Sequence, residues 1–184
     1  LARKVGYDNV GTWEWIVTKD GSPFLMEVNT RIQVENGVSA RISKVKGQGD
    51  VDIIAEQISD DAELRKSLRA RMQKSGVGIE YRLIAEDPDN RFTPWVGRID
   101  AFGWPSHPWL KMHTHVPTDE SYEIPTEFDP NLALAIIWGE NLEQAKERGM
   151  QFLDELTLQG ENQSGELKSN VNFLRANTGR ILRF

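Results

Sequence analysis

Apolar and polar residues alternate from Met26 to Glu35 in the stretch MEVNTRIQVE. Successive side chains of an extended strand point to opposite faces, so if the chain is extended here, one face would be apolar and the other polar. Five polar side chains of mixed charge would line the second face: Glu27, Asn29, Arg31, Gln33 and Glu35. The first question that the sequence raises is what this face binds.

A second strand-like stretch, VGTWEWIVT at residues 10–18, precedes the alternating one and is rich in Trp, Val and Ile. Such residues favour strands. The dipeptide Asp20-Gly21 lies between the two stretches and is typical of a two-residue hairpin turn. We therefore predict an antiparallel β-hairpin of residues 10–18 and 23–30.

A two-residue loop would also fix the register of this hairpin. With Lys19 paired to Ser22, Glu14 lies directly opposite Glu27. Like charges opposed in a sheet are destabilising by some tenths of a kcal/mol, so a compensating cation is expected. Two carboxylates and the amide oxygen of Asn29 are hard oxygen ligands of the kind that Mg²⁺ prefers. Two alternatives remain open: a polar face that is simply solvated, and a register slipped by one residue.

Two further residues of the polar face extend this candidate site. Arg31 follows Asn29 by two positions, and a guanidinium binds planar oxyanions through paired hydrogen bonds. Glu35 could take a proton from a bound acid as a general base. A pair of metal-binding carboxylates, an anion-binding cation and a base would then lie along one edge of the hairpin, in an order that suits phosphoryl transfer.

The sequence pattern changes at Gly76. Before it, residues 33–45 and two segments near 50–58 and 61–73 favour helices. After it come four strand patterns separated by Pro, Gly and Asp: GVGIEYRLIAEDP, VGRIDAF, WLKMHTHV and NLALAIIWG. This change predicts a domain boundary near residue 75.

Two helices are predicted to close the chain. Asn141, followed three residues later by Gln144, is a capping signature for the first helix. Its inner face would carry Leu142, Ala145, Gly149, Phe152 and Leu156. The second helix is predicted over residues 166–178, with Val171 and Leu174 turned inward.

Composition narrows the class of protein. Of the 184 residues, 39% are hydrophobic and 27% charged, which is typical of a soluble globular protein. The net charge of −6 argues against a nucleic-acid partner. The absence of cysteine excludes disulfides and thiolate chemistry and fits the cytoplasm, which is the expected location. With no apolar run near the ~20 residues that span a bilayer, no membrane partner is expected.

The stretch EVNTRIQVE closely resembles the signature of biotin carboxylases, the ATP-grasp enzymes that carboxylate biotin. GIEYRLIAEDP resembles the strand that opens the family's C-terminal domain, and IPTEFDPNLALAIIWGENLEQAKER its closing strand and helix. Carbamoyl-phosphate synthetases share the Glu-x-Asn pair but, as a rule, not the TRIQVE continuation. The resemblance implies an α+β fold: the end of an ATP-grasp domain at residues 1–75, then a biotin carboxylase C-terminal domain at 76–184, with an antiparallel sheet and packed helices.

The resemblance also implies cofactors and partners. Glu14 and Glu27, assisted by Asn29, would bind the Mg²⁺ (or Mn²⁺) ions that bridge the phosphates of ATP. The Met-Lys-Met motif of a biotinylated lysine is absent, so biotin would arrive on a carrier protein or domain. A separate carboxyltransferase would pass the carboxyl group to an acyl-CoA or a keto acid, and a homodimer is possible.

Catalytic roles follow from the same resemblance. Arg31 would hold bicarbonate, with Gln33 and the backbone of Val34 beside it. Glu35 would deprotonate bicarbonate, which then attacks the γ-phosphate to give carboxyphosphate and, from it, CO₂. Arg82 would stabilise the enolate of biotin that captures CO₂.

The chain also departs from the family pattern. Asn36-Gly37 stand where the family has His-Pro, and Ala40 where an acidic residue is expected. Leu134 stands where the family has the lysine of a Ser-Met-x-Gly-Lys run. Residues 104–122, which in the family contribute to dimer contacts, resemble it least.

The first residue is Leu1, and LARKVGY is typical of the end of a helix. The family's N-terminal domain, its Gly-rich lid and its ATP-binding lysines would all lie upstream. We therefore expect a piece of a longer protein that is inactive alone.

Two other functions remain open: a non-catalytic assembly module, and an ATP-grasp ligase with another acceptor. Arg82 could likewise be a surface residue paired with Glu80.

Overall fold

The computed structural model describes residues 1–45, 49–58, 72–127 and 129–181 of the chain. The chain divides into two compact units, Leu1–Lys74 and Ser75–Phe184, called here the N-terminal and C-terminal units.

The N-terminal unit combines a hairpin, a small antiparallel sheet and short helices. Its elements are α1 (Ala2–Val5), β1 (Thr12–Val17), β2 (Pro23–Asn29), α2 (Asn36–Ile42), β3 (Ser43–Val45), β4 (Gly49–Asp50), α3 (Ile53–Ile58) and β5 (Met72–Lys74). Strands β1 and β2 form the hairpin, and β4, β3 and β5 form the sheet in that order. The helix predicted at 61–73 lies mostly outside the described residues.

The hairpin loop is one residue longer than the sequence predicted. The N–H of Thr18 donates to the carbonyl of Ser22 (3.1 Å), and the N–H of Gly21 donates to the carbonyl of Thr18 (2.9 Å). Thr18 and Ser22 therefore close the loop, and the predicted pairing of Lys19 with Ser22 is wrong. Gly21 has a φ of 83°, the left-handed conformation typical of a three-residue hairpin loop.

A β-bulge cancels the extra loop residue. Glu14 pairs with Glu27, whereas Trp15 pairs with Leu25, which leaves Met26 without a partner. One extra residue in the strand thus compensates for one extra residue in the loop. The predicted pairing of the two carboxylates is confirmed, although the register near the turn differs from the prediction.

The predicted polar strand face ends earlier than expected. Strand β2 stops at Asn29, whose partner Thr12 is the first residue of β1, so the hairpin offers no strand to pair with the next residues. Residues 30–35 form bends and turns, and Glu35 is the N-cap of α2. The strand predicted at residues 23–30 therefore ends one residue early, and the polar face that an extended chain would continue to Glu35 stops at Asn29.

The C-terminal unit is built on antiparallel sheets with two packed helices, as the predicted α+β class requires. Its elements are β6 (Val77–Ile84), β7 (Glu86–Asp87), a 3-10 turn (Pro88–Asn90), β8 (Thr93–Pro94), β9 (Arg98–Gly103), β10 (Leu110–Thr114), β11 (Tyr122–Glu123), β12 (Asn131–Gly139), α4 (Leu142–Glu155), β13 (Thr157–Asn162), β14 (Gly165–Glu166) and α5 (Val171–Ile181). The larger sheets have the orders β10-β12-β6 and β11-β9-β13-β14, and β7 pairs with β8.

The core of this unit lies between the sheets and α4. Ala133, Ala135 and Ile137 alternate along β12 and are buried, and Phe152 of α4 is fully buried. Gly149 lets α4 approach β6 closely, because a Cβ added there would lie 2.2 Å from the Tyr81 hydroxyl oxygen. Close contact between helix and sheet therefore depends on glycine at this position.

The predicted cap of α4 is confirmed. The Asn141 side chain accepts a hydrogen bond from the N–H of Gln144 (3.0 Å), and the Gln144 side chain accepts one from the N–H of Glu140 (2.9 Å). Leu153 is buried on α4 although the predicted inner face omitted it, and α5 begins at Val171 rather than at residue 166. Within the described residues, no helix is both long and apolar enough to cross a membrane.

Candidate active site

The two opposed carboxylates of the hairpin share one hydrogen-bond donor. The Asn29 side-chain nitrogen lies 3.2 Å from Glu14 Oε1 and 2.9 Å from Glu27 Oε1. Asn29 reaches both because it shares a strand face with Glu27, two residues away, and lies diagonally across from Glu14. All three predicted metal ligands therefore converge, and the amide offsets part of the repulsion between the carboxylates.

The donor set of these three residues fits a magnesium ion. Turning the Asn29 amide over would place its oxygen near both carboxylates, which gives three hard oxygen ligands. No group of three or more His, Cys, Asp or Glu side chains in the described part of the chain could hold a metal by itself. Two carboxylates, completed by water and substrate phosphates, are the usual protein contribution to a Mg²⁺ site.

The turn after β2 presents Gln33 and Glu35 to a common cleft. The cleft has a volume of about 220 Å³. Its lining residues are Val10, Gly11, Thr12, Ile32, Gln33, Glu35, Asn36, Ser39 and Ile53. Glu35 makes no side-chain capping hydrogen bond to α2, so its carboxylate is not committed to that helix. An amide and a carboxylate at one small cleft suit a small, hydrogen-bonding ligand.

Arg31 lies in a bend between the hairpin and this turn. Its side chain is exposed, and its guanidinium donates to the carbonyl of Ile32 at 3.3 Å. It is not among the residues that line the cleft of Gln33 and Glu35. Val34, the fourth residue of the predicted bicarbonate site, is 42% exposed.

Arg82 lies on β6 in the C-terminal unit, two residues after Glu80 and on the same face. Its guanidinium is 3.6 Å from the Glu80 carboxylate, which is beyond hydrogen-bonding distance. The Arg82 side chain is 42% exposed, whereas that of Glu80 is 9% exposed. The predicted ion pair therefore exists, but it leaves most donors of the guanidinium fork available.

The backbone of Arg82 is held from outside its sheet. The buried Asn170 side chain donates to the carbonyl of Arg82 (2.9 Å) and accepts from the N–H of Ile84 (3.0 Å). The N–H of Asn170 completes the set by donating to the carbonyl of Ile84 (3.1 Å). Asn170 thus occupies the edge of β6 as a neighbouring strand would.

Arg82, Leu134 and His113 lie side by side across the three strands of this sheet, and Arg82 is the one fixed positive charge among these three residues. Leu134 pairs with Arg82 on one side and with His113 on the other. Burial and the neighbouring Lys111 lower the pKa of His113, which therefore stays neutral at pH 7. Leu134, where the resembled family has lysine, leaves Arg82 as the charged group of this row.

Sequence reasoning missed two asparagines beside the candidate residues. Asn170 contacts Arg82 from 88 positions away, and its neighbours in the sequence do not indicate this contact. Asn36 donates to the carbonyl of Gln33 at 2.8 Å. Its position just after Glu35, at the start of a predicted helix, was the signal that could have revealed it.

Two family models match the chain in succession. Residues 1–66 match "Carbamoyl-phosphate synthase L chain, ATP binding domain". Residues 80–178 match "Biotin carboxylase C-terminal domain". The first match lies in the N-terminal unit and the second in the C-terminal unit.

Two relatives that resemble the chain in sequence are named biotin carboxylases. "Biotin carboxylase 1, chloroplastic" of Populus trichocarpa is 37% identical over 162 residues, which are 86% of this chain and 29% of that protein. "Biotin carboxylase" of Nostoc sp. is 34% identical over 160 residues, which are 86% of this chain and 34% of that protein. The chain thus spans about a third of the length of these relatives.

The backbone also resembles solved structures. One is the biotin carboxylase domain of Hydrogenobacter thermophilus 2-oxoglutarate carboxylase, a dimer in complex with MgADP, ADP and bicarbonate. It has a TM-score of 0.79 and 29% identity over 97% of this chain and 36% of that chain. Since the C-terminal domain model matches more than half of the 184 residues, the chain belongs to the biotin carboxylase family.

Proposed function

We propose that this chain is the C-terminal part of an ATP-dependent biotin carboxylase. The whole enzyme would use ATP and bicarbonate to carboxylate biotin on a carrier protein or domain. The observation that carries the proposal is the arrangement in the N-terminal unit. Two opposed carboxylates share an amide, and a turn close by in the sequence presents Gln33 and Glu35 to one small cleft.

Glu14, Glu27 and Asn29 are the proposed metal-binding residues. A bound Mg²⁺ or Mn²⁺ would neutralise charge on the phosphates of ATP. The two carboxylates would hold the ion, assisted by the amide oxygen of Asn29. The support for this role is the convergence of all three side chains on one point of the hairpin.

Bicarbonate would be bound and activated by the turn after β2. Arg31, Gln33 and the Val34 N–H bind its oxygens. Glu35 removes its proton, and the resulting oxyanion attacks the γ-phosphate, so that ADP leaves and carboxyphosphate forms. Carboxyphosphate then breaks down to CO₂ and phosphate. The support for Glu35 as the base is that this residue lines the cleft and that its side chain makes no capping hydrogen bond to α2.

Arg82 would stabilise the negative charge that develops on the ureido oxygen of biotin when its nitrogen loses a proton to the phosphate released from carboxyphosphate. The charged biotin then captures CO₂ through that nitrogen. A fixed guanidinium is suited to this task because it needs little reorganisation as the charge develops. Its partly exposed position on an ordered strand, with no close hydrogen bond to Glu80, supports the role.

The whole enzyme would work in the cytoplasm with a biotin carrier and a carboxyltransferase, and it would form a homodimer. The carboxyltransferase would determine whether an acyl-CoA or pyruvate receives the carboxyl group.

Bicarbonate-dependent ATP turnover and carboxylation of free biotin, measured on the full-length protein, test this function. Glu35→Gln should lower both rates by ~10²-fold or more, because a general base contributes about that much. Glu140→Gln, an exposed carboxylate in the C-terminal unit, is the matched control and should change neither rate. Turnover that does not depend on bicarbonate would refute the proposal in favour of another ATP-grasp ligase.

A further inference from the structure

The turn that carries Gln33, Val34 and Glu35 has no regular secondary structure of its own. It follows the last residue of β2 and precedes α2. A binding site needs these groups in one fixed arrangement, because loosely held donors lose much of their advantage over water. The contacts that hold the turn therefore bear directly on how well it could bind a small anion.

Asn36 makes most of those contacts. Its side-chain nitrogen donates to the carbonyl of Gln33 at 2.8 Å and lies 3.5 Å from the carbonyl of Val34. Its backbone N–H also donates to the carbonyl of Gln33, at 3.1 Å. Two donors of one residue thus converge on a single carbonyl oxygen.

Peptide geometry connects this carbonyl to the proposed anion site. The carbonyl of Gln33 and the N–H of Val34 belong to the same planar, trans peptide unit, so they point in opposite directions. When Asn36 fixes the carbonyl, it fixes the direction of the Val34 N–H as well. The weaker contact to the Val34 carbonyl restrains the next peptide unit, which leads to Glu35.

We propose that Asn36 is a positioning residue that aims the Val34 N–H, together with Gln33 and Glu35, at bound bicarbonate. This inference rests on the proposed function of the cleft. Asn36 also lines the cleft, but its side-chain amide is engaged with the carbonyls of Gln33 and Val34, so it acts through the backbone of the turn. The amide is the required chemistry, because a carboxylate of the same shape would present an acceptor to two carbonyl acceptors.

The test compares Asn36→Ala and Asn36→Asp with the parent in the full-length protein. Both variants should raise the KM for bicarbonate about tenfold, as expected for one lost hydrogen bond that orders a site, and leave the KM for ATP within about twofold. The backbone N–H groups of Asn36 and Val38, measured by hydrogen–deuterium exchange without substrate, should exchange faster in both variants. Asn177→Ala is the matched control, because it removes an amide-to-carbonyl bond of the same length, 2.8 Å, from α5.

The outcomes separate the two claims. Faster exchange with an unchanged KM for bicarbonate would show that Asn36 holds the turn but does not position it for the anion, which overturns this inference and leaves the proposed function standing. Unchanged exchange would overturn the inference as well. A parent protein whose ATP turnover ignores bicarbonate would overturn the proposed function, and the positioning role with it.

Discussion

The two units of the chain place functional side chains by different means. Among the described residues of the N-terminal unit, Val45 is the only buried apolar side chain. Among the described residues of the C-terminal unit, by contrast, fourteen buried side chains form one cluster, which includes Phe152. The hairpin even exposes a run of large apolar residues: Trp15, Ile16, Val17, Phe24, Leu25 and Met26.

The difference shows which contacts hold the candidate site residues in position in each unit. The candidate metal and bicarbonate residues depend on local hydrogen bonds, made by Asn29 and Asn36, on a hairpin and a turn. Arg82 depends on a packed sheet and on Asn170, a long-range contact. Substitutions in the packed core of the C-terminal unit should therefore affect stability, whereas those in the N-terminal site should affect binding with little effect on stability.

Phe152→Ala should have the largest effect on stability. The side chain is fully buried between α4 and the sheet, and its removal leaves a cavity that costs about 3–5 kcal/mol. The matched change Phe24→Ala, at a residue that is 59% exposed, should cost less than about 0.5 kcal/mol. Urea denaturation of the 184-residue chain measures both. If both substitutions lowered the free energy of unfolding equally, the hairpin would be packed as tightly as the core. The contrast between the units would then be wrong.

Arg82→Ala should have the largest effect on catalysis. Losing one preorganised donor to a developing oxyanion lowers rates by ~10²–10³-fold, and we expect that loss in biotin carboxylation by the full-length protein. Arg82→Lys should recover little, because it keeps the charge but loses the planar fork. The KM for ATP should change little in either variant.

The carboxylation rate and the KM for ATP must be measured on the same preparations. If Arg82→Ala stays within about twofold of the parent, Arg82 is only a strand residue paired with Glu80.

Asn170→Ala should have an intermediate effect on stability. The change leaves the Arg82 carbonyl and the Ile84 N–H without their partner, and an unsatisfied buried backbone group costs about 1–3 kcal/mol. Asn177→Ala on α5 removes an exposed bond and is the control. A shift in the urea midpoint no larger than that of the control would show that water replaces Asn170 at this edge.

The hairpin shows how far the sequence could predict the site. The Asp20-Gly21 turn and the alternation were enough to place Glu14 opposite Glu27. They could not reveal the bulge at Met26, because a longer loop and an extra strand residue cancel and leave that pair unchanged.

The alternation from residue 30 to 35 was misleading for a different reason. A strand requires a partner as well as a pattern, and β1 begins opposite Asn29. Asn170 could not be predicted at all, since its partners are fixed by tertiary packing. The helix cap at Asn141 was predictable because it depends on residues three positions apart.

The smallest predicted effect concerns an exposed contact between His107 and Glu155 in the C-terminal unit. His107 Nε2 lies 2.9 Å from Glu155 Oε2, and hydrogen bonds from His107 and then Gln151 lower the pKa of Glu155 from its ordinary value of 4.5. A lowered carboxyl pKa stabilises the fold above the ordinary value, and that stabilisation disappears as the pH falls through the lowered value. Glu155→Gln should therefore lower the melting temperature slightly at pH 7, and the difference from the parent should vanish in acid, at a pH below the lowered pKa of Glu155. Glu140→Gln serves as the control, and both variants should be scanned at low salt, where exposed pairs are least screened. A difference that persists unchanged into acid would mean that Glu155 acts through packing rather than through its charge.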